Sequence, residues 1–161
     1  MCIRDRLNMH LEIERKFLVK IENWDTSIKG VPYKQGYLAI TDKNVVRVRI
    51  KGDISTITVK SNEIGISRSE HEYEIPLHDA DYLINHLCVS GIIEKTRYKV
   101  PYKGKVWDVD KFHGDNNGLW LAEIELDHEQ EDVLLPPWAG KEVTGDVKYY
   151  NAYLSNNPFH K

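Results

Sequence analysis

The sequence predicts a mainly β (α+β) fold, in which eight antiparallel strands close into a β-barrel tunnel with a charged interior and short flanking helices. Three observations carry that prediction. Polar and apolar residues alternate with a period of two through most of the chain, as they do in strands whose side chains point to opposite faces. Turn-forming runs such as Thr41-Asp42-Lys43-Asn44, Lys51-Gly52-Asp53 and Gly114-Asp115-Asn116-Asn117-Gly118 punctuate the alternation at hairpin spacing. Charged residues recur at the same phase in strand after strand, so a sheet curling onto that face would enclose them.

The first strand, 10–20, carries Glu12, Glu14 and Lys16 on one face and Leu11, Ile13, Phe17 and Val19 on the other. Segment 21–30 adds a helical turn, and strands follow over 33–41, 44–51 and 55–61. The second of these sets Arg47 and Arg49 against Val46, Val48 and Ile50, and the third sets Thr56, Thr58 and Lys60 against Ile57 and Val59. Strand 69–76 presents Glu70, Glu72 and Glu74. Ala80, Leu83, Ile84, Leu87 and Cys88 then follow helical spacing, with Asp79 placed to cap the start and Gly91 beyond the end. Strand 93–102 offers Lys95, Arg97 and Lys99, and strand 105–113 offers Asp108 and Asp110 with Trp107 and Val109 behind them. Strand 118–127 offers Glu123 and Glu125 against Trp120, Ala122, Ile124 and Leu126. A second helix is expected after Thr144-Gly145-Asp146, with Val147, Tyr150 and Leu154 on one side and an end near Pro158.

A chain of 161 residues is the size of one domain, placed over 9–161, with residues 1–8 read as an extension outside the fold and Met9 as a natural start. The formal net charge of −3 gives no attraction for nucleic acid as a partner. No apolar run approaches the roughly 18 residues of a membrane helix. Cys2 and Cys88 are too few for a thiolate cage or a disulfide framework, which points to a reducing, cytoplasmic setting. A homodimer is compatible with the sequence, which carries no mark of oligomeric state.

A solvated face with cross-strand ion pairs, worth at most about 1 kcal/mol each, accounts for any one charged strand. It accounts poorly for the set, because like charges at i and i+2 repel and need compensation. Hard carboxylates suit Mg²⁺ or Mn²⁺, and Arg and Lys on facing strands suit phosphate oxygens. A metal triphosphate answers both demands.

Glu12-Ile13-Glu14-Arg15-Lys16 resembles the ExExK signature of the CYTH family, the triphosphate tunnel metalloenzymes. Gln35-Gly36-Tyr37-Leu38, Arg47-Val48-Arg49, Thr58-Val59-Lys60, Glu72-Tyr73-Glu74, Glu94-Lys95-Thr96-Arg97-Tyr98, Asp108-Val109-Asp110 and Ala122-Glu123-Ile124-Glu125-Leu126 resemble its successive strand motifs. The likeness covers residues 9–155, and the tail Gly140-Lys141-Glu142-Val143-Thr144-Gly145-Asp146 is similar to the short bacterial and plant members. The resemblance implies an antiparallel eight-stranded tunnel and a metal-dependent hydrolase of triphosphates, most simply of inorganic tripolyphosphate.

Resemblance and strand phase together assign Lys16, Arg47, Arg49, Lys60, Lys95 and Arg97 to the substrate phosphates. Glu12, Glu14, Asp110, Glu123 and Glu125 are the metal-ligand candidates. Glu14, Glu72 and Lys95 are the candidates for direct chemistry, with Glu72 and Glu74 equally suited to holding basic side chains by ion pairing. Lys99 and Glu70 are expected at the rim, Lys148 in solvent, and the four tryptophans in the core. The histidines show no zinc-site spacing. Hydrolysis of inorganic triphosphate is the leading expectation. A class IV type adenylate cyclase, a thiamine triphosphatase and a non-catalytic polyphosphate or nucleotide-binding module are the alternatives.

Overall fold

The computed structural model describes residues 11–62 and 66–159. The expected extension 1–8, Met9 and the first residue of the first expected strand lie outside the described residues.

All eight expected strands form: β1 Leu11–Val19, β2 Val31–Ile40, β3 Asn44–Lys51, β4 Ile54–Ser61, β5 Ser67–Ile75, β6 Ile93–Tyr102, β7 Lys105–Phe112 and β8 Trp120–Glu125. They are hydrogen-bonded in the order β5-β4-β3-β2-β6-β7-β8-β1, and β1 pairs back onto β5 to close the barrel. Every neighbouring pair is antiparallel. A ninth strand, β9 Ala139–Glu142, was not expected from the pattern. It pairs with the C-terminal half of β1, Phe17 opposite Glu142 and Val19 opposite Ala139, where β5 pairs with only the first residues of that strand.

The outward face is apolar and is covered in two places. Helix α1 runs over Leu77–Tyr82 and continues as a π-helical turn, Leu83–Leu87. It lays Ala80 and Ile84 on Val48, with Ile50, Ile57 and Ile75 around them. The helix begins two residues before Asp79: Pro76 is the cap residue, with its φ already fixed, and Asp79 sits in the first turn facing His78 at 3.3 Å instead of capping. On the other side Phe17, Trp107, Val109, Ala122, Ile124 and Leu126 pack with Trp138. Trp24 stands edge-on to Tyr98, Trp120 and Trp138 at 5.3–5.7 Å, so the short 3₁₀ turn Ile21–Asn23 delivers an aromatic clasp across the barrel wall. Buried side chains of this size each contribute about 1.5–3 kcal/mol.

The inward face is charged along the middle of the barrel and turns apolar at one end. Ile93, Phe112, Leu119 and Leu121 continue the inward phase there and join Val143 and Leu154 in a cluster at most 5% exposed. Leu154 comes from helix α2, Asn151–Asn156. The 3₁₀ turn Val147–Tyr149 precedes α2 and is capped by Asp146, whose carboxylate accepts from the Lys148 amide at 3.2 Å. The expected shared face of Val147, Tyr150 and Leu154 does not form, because the 3₁₀ turn breaks the helical period; Val147 is exposed and Tyr150 turns toward the lumen. None of the described helices is long and apolar enough to cross a membrane.

Candidate active site

The charged stretch of the lumen surrounds a cavity of about 210 Å³. Six cations, Lys16, Arg47, Arg49, Lys60, Arg68 and Arg97, and six carboxylates, Glu12, Glu14, Glu70, Asp108, Glu123 and Glu125, line it. The period-two geometry of β1, β3 and β8 delivers these groups in pairs, and the antiparallel register sets Glu14 opposite Glu125 and Lys16 opposite Glu123. Tyr37 and, from the α2 end, Tyr150 and Asn151 complete the wall.

The carboxylates interact with each other as well as with cations. Lys60 Nζ donates to Glu12 Oε1 at 3.0 Å, and against the effect of burial it holds Glu12 down to about 2. Glu70 is hydrogen-bonded to Glu12, and burial with that contact pushes it up to about 7. Glu70 therefore lines the cavity and is not the rim residue expected from its position near a strand end. Burial, then the charges of Glu123 and Glu12, push Glu14 well above the usual carboxylate range. Burial would also raise Glu123, but Lys16 and Arg97, with a hydrogen bond from Glu14, hold it well below that range. The two neighbouring carboxyl groups are thus pushed in opposite directions, Glu14 toward its neutral form and Glu123 toward its charged one.

The cations differ in how far they are neutralised. Arg47 Nη2 donates to Thr58 Oγ1 at 3.1 Å, and that hydroxyl donates on to Glu72 Oε2 at 3.2 Å. Arg47 Nε, though buried, has no hydrogen-bond partner among the described residues. Arg49 Nε donates to Gln35 Oε1 at 2.7 Å, and Gln35 reaches the Tyr37 hydroxyl at 3.3 Å. Burial and the neighbouring Arg47 and Arg97 bring Arg49 down to about 9, with Tyr37 and Asp110 acting in the opposite direction.

Asp110 and Lys95 lie deeper than the cavity wall. The Asp110 carboxylate accepts from Lys95 Nζ and from Arg97 Nε and Nη2, each at 2.8 Å. Arg97 and Lys95 hold Asp110 well below the usual range despite its burial. Burial, with Arg97 and Arg49 nearby, lowers Lys95 to about 7 in spite of that partner; its Nζ also reaches Asn151 Oδ1 at 3.2 Å.

Glu72 faces Arg47 from 3.7 Å outside the cavity lining, and Glu74 is exposed. Lys99 is rim-exposed and bound to Asp108 at 2.6 Å, and Lys148 is in solvent. Sequence reading missed Arg68 and Tyr33, and gave no site role to Tyr150 or to Gln35 and Tyr37, which it noted only as part of a strand motif. Arg68 is 3.8 Å from Glu14, and its guanidinium and the Lys16 ammonium lie 4.9 and 5.3 Å from the Tyr150 ring. Arg68 shares the phase of Glu70 and was legible once β5 is started at Ser67.

Hard oxygen donors on this wall fit a divalent cation. Among the described residues no three acidic, histidine or cysteine groups form a ready-made metal cluster. Mg²⁺ at phosphate sites is usually held by one or two carboxylates plus substrate oxygens. Glu14 and Glu123 both line the cavity and are hard oxygen donors of the kind that could serve such an ion.

The family description of the CYTH domain matches residues 10–150. An inorganic triphosphatase of Acetivibrio thermocellus is 46% identical over 151 residues, which span 94% of this chain and 97% of that protein. An inorganic triphosphatase of Nitrosomonas europaea is 39% identical over 149 residues, 89% of this chain and 96% of that one. The crystal structure of an inorganic triphosphatase resembles this fold with a TM-score of 0.66 at 35% identity, covering 89% of this chain and 93% of its own.

Proposed function

This chain belongs to the CYTH domain family, and on that premise we propose that it is an inorganic triphosphatase that hydrolyses tripolyphosphate to pyrophosphate and phosphate with Mg²⁺ or Mn²⁺. The observation that carries the reading is the lumen itself: six cations and six carboxylates around about 210 Å³, with Arg49 held by the Gln35 amide oxygen and not by a direct ion pair among the described residues. That volume suits a small polyanion.

Phosphoryl transfer depends mainly on positioning and on charge placed where the transferring group needs it. Arg47, Arg49, Lys60, Lys16 and Arg97 bind the phosphate oxygens, and the free Nε of Arg47 is a donor ready for one of them. Lys95 and Asp110 act from behind, fixing Arg97, and Glu72 with Thr58 fixes Arg47. Glu14 and Glu123, with Glu12 and Glu125 beside them, would hold a divalent ion, which when bound would supply charge neutralisation and lower the pKa of water. Water attacks the terminal phosphorus, the bond to the bridging oxygen breaks, and pyrophosphate leaves with that oxygen. Glu14, on the lumen face of β1, is assigned in its ionised form to orient the attacking water and accept its proton.

The test is to incubate purified protein with tripolyphosphate, ATP and thiamine triphosphate, each with Mg²⁺, Mn²⁺ or a chelator, and to quantify phosphate, pyrophosphate and cyclic AMP. Metal-dependent phosphate release, fastest from tripolyphosphate, is expected. Cyclic AMP from ATP, or tight binding without turnover, would overturn the reading.

A further inference from the structure

Strand β2 lies between the two strands that supply the guanidinium groups of the phosphate site, β3 and β6, and its own lumen positions are Tyr33, Gln35 and Tyr37, all uncharged. Tyr33 is buried, and it stands opposite Lys95 in the pairing with β6. Three cations gather on its ring: the Arg97 guanidinium at 4.9 Å from the centroid, that of Arg49 at 5.0 Å and the Lys95 ammonium at 6.0 Å. Lys95 and Arg97 share Asp110. Among the described residues Arg49 has no carboxylate within ion-pairing distance; the Tyr33 ring and the Gln35 amide oxygen are the groups that hold it.

Asp110 offsets the repulsion for Lys95 and Arg97, but Arg49 stands beside them with no carboxylate in ion-pairing distance, and the wall must contain something that attracts it. A carboxylate at position 33 would do so, but it would neutralise the guanidinium groups and compete with phosphate for them. The negative face of an aromatic ring attracts cations while leaving their charge and most of their N–H donors available. We propose that Tyr33 is a positioning residue of the triphosphate site, its ring holding Arg49 beside the Asp110-bound pair Arg97 and Lys95 without supplying a further acid that would neutralise Arg49. The proposal rests on the polyphosphate reading of the lumen, but it concerns binding and does not require turnover.

The experiment replaces Tyr33 with Phe and then with mono-, di- and trifluorinated phenylalanines, which keep the ring size while weakening its negative face. Affinity for tripolyphosphate in the presence of Mg²⁺ is measured by calorimetry, and KM and kcat are measured in parallel. Tyr33→Phe is expected to bind within about twofold of wild type, and the fluorinated series to lose about tenfold stepwise, chiefly in Kd and KM; this corresponds to about 1.4 kcal/mol. A flat series would show that the ring only fills space and would overturn the proposal. A Phe variant that loses the full tenfold would also overturn it, by assigning the effect to the hydroxyl. If wild-type protein bound tripolyphosphate without hydrolysing it, the catalytic reading would fail and the binding series would still decide the role of Tyr33. If wild type did not bind it at all, both would fall.

Discussion

Replacing Asp110 with Asn tests whether the cations of the lumen are held by buried charge or merely packed. The carboxylate is 2% exposed and its partner Lys95 is fully enclosed. It accepts three hydrogen bonds of 2.8 Å from Lys95 and Arg97. Removing one member of a buried ion pair costs about 3–5 kcal/mol, because the remaining charge is left in a poorly solvating wall. The amide oxygen of Asn retains part of the bonding, and Lys95, already brought down to about 7, can shed its proton, so the lower end applies. At about 2–4 °C per kcal/mol for a chain of this size, Tm should fall by about 10 °C. Circular dichroism melts at pH 7.5 measure this directly. Asp108→Asn is the internal control: its carboxylate is 26% exposed, pairs with a Lys99 that is 62% exposed and lies 3.5 Å from an Arg97 that keeps Asp110, so it should cost only about 1 kcal/mol. Equal Tm losses in the two variants, or a loss under 2 °C for Asp110→Asn, would refute the argument from burial.

Four further outcomes are expected. Arg49→Ala should lower kcat/KM for tripolyphosphate by about 10–100-fold, since a charge-assisted phosphate contact is lost and no acid is left unpaired; a twofold change in steady-state assays would remove Arg49 from the site. Glu14→Gln should fold with wild-type stability, because Gln resembles the protonated state that burial and Glu123 favour, yet metal-supported turnover should drop at least about tenfold. Glu70 binds its proton more tightly folded, at about 7 against an ordinary 4.5, so its contribution to stability is complete below 4.5 and is lost as pH rises through about 7. Urea unfolding should accordingly show Glu70→Gln gaining about 1–2 kcal/mol on wild type between pH 5 and pH 8, and no gain would contradict the Glu12 contact. Gly91→Ala places a Cβ 2.5 Å from the Ser155 carbonyl oxygen and should cost about 1–3 kcal/mol by displacing α2.

The strands and their phases were legible because a period-two pattern survives whichever face is buried: Arg47 and Arg49, or Glu123 and Glu125, declare the lumen by charge alone. Depth along the barrel was not legible. Asp108 and Asp110 have the same phase and spacing, yet one lines the cavity and the other lies behind Arg97, a difference set by where neighbouring strands place their side chains. Strand β9 was missed because Ala-Gly-Lys-Glu has no alternation and is recruited through backbone pairing with β1. Tyr33 and Gln35 escaped a search conducted by charge, although they hold the cations it found. Tyr150 was misplaced because a 3₁₀ turn rotates it out of helical register.

The apolar cluster of Phe112, Leu119, Leu121 and Leu154 turns the barrel into a cul-de-sac. Traffic then runs in both directions through one doorway: pyrophosphate has to leave past the same cations that draw in the next tripolyphosphate. Product and substrate would then meet the same cations, so added pyrophosphate is expected to inhibit competitively in steady-state assays with tripolyphosphate.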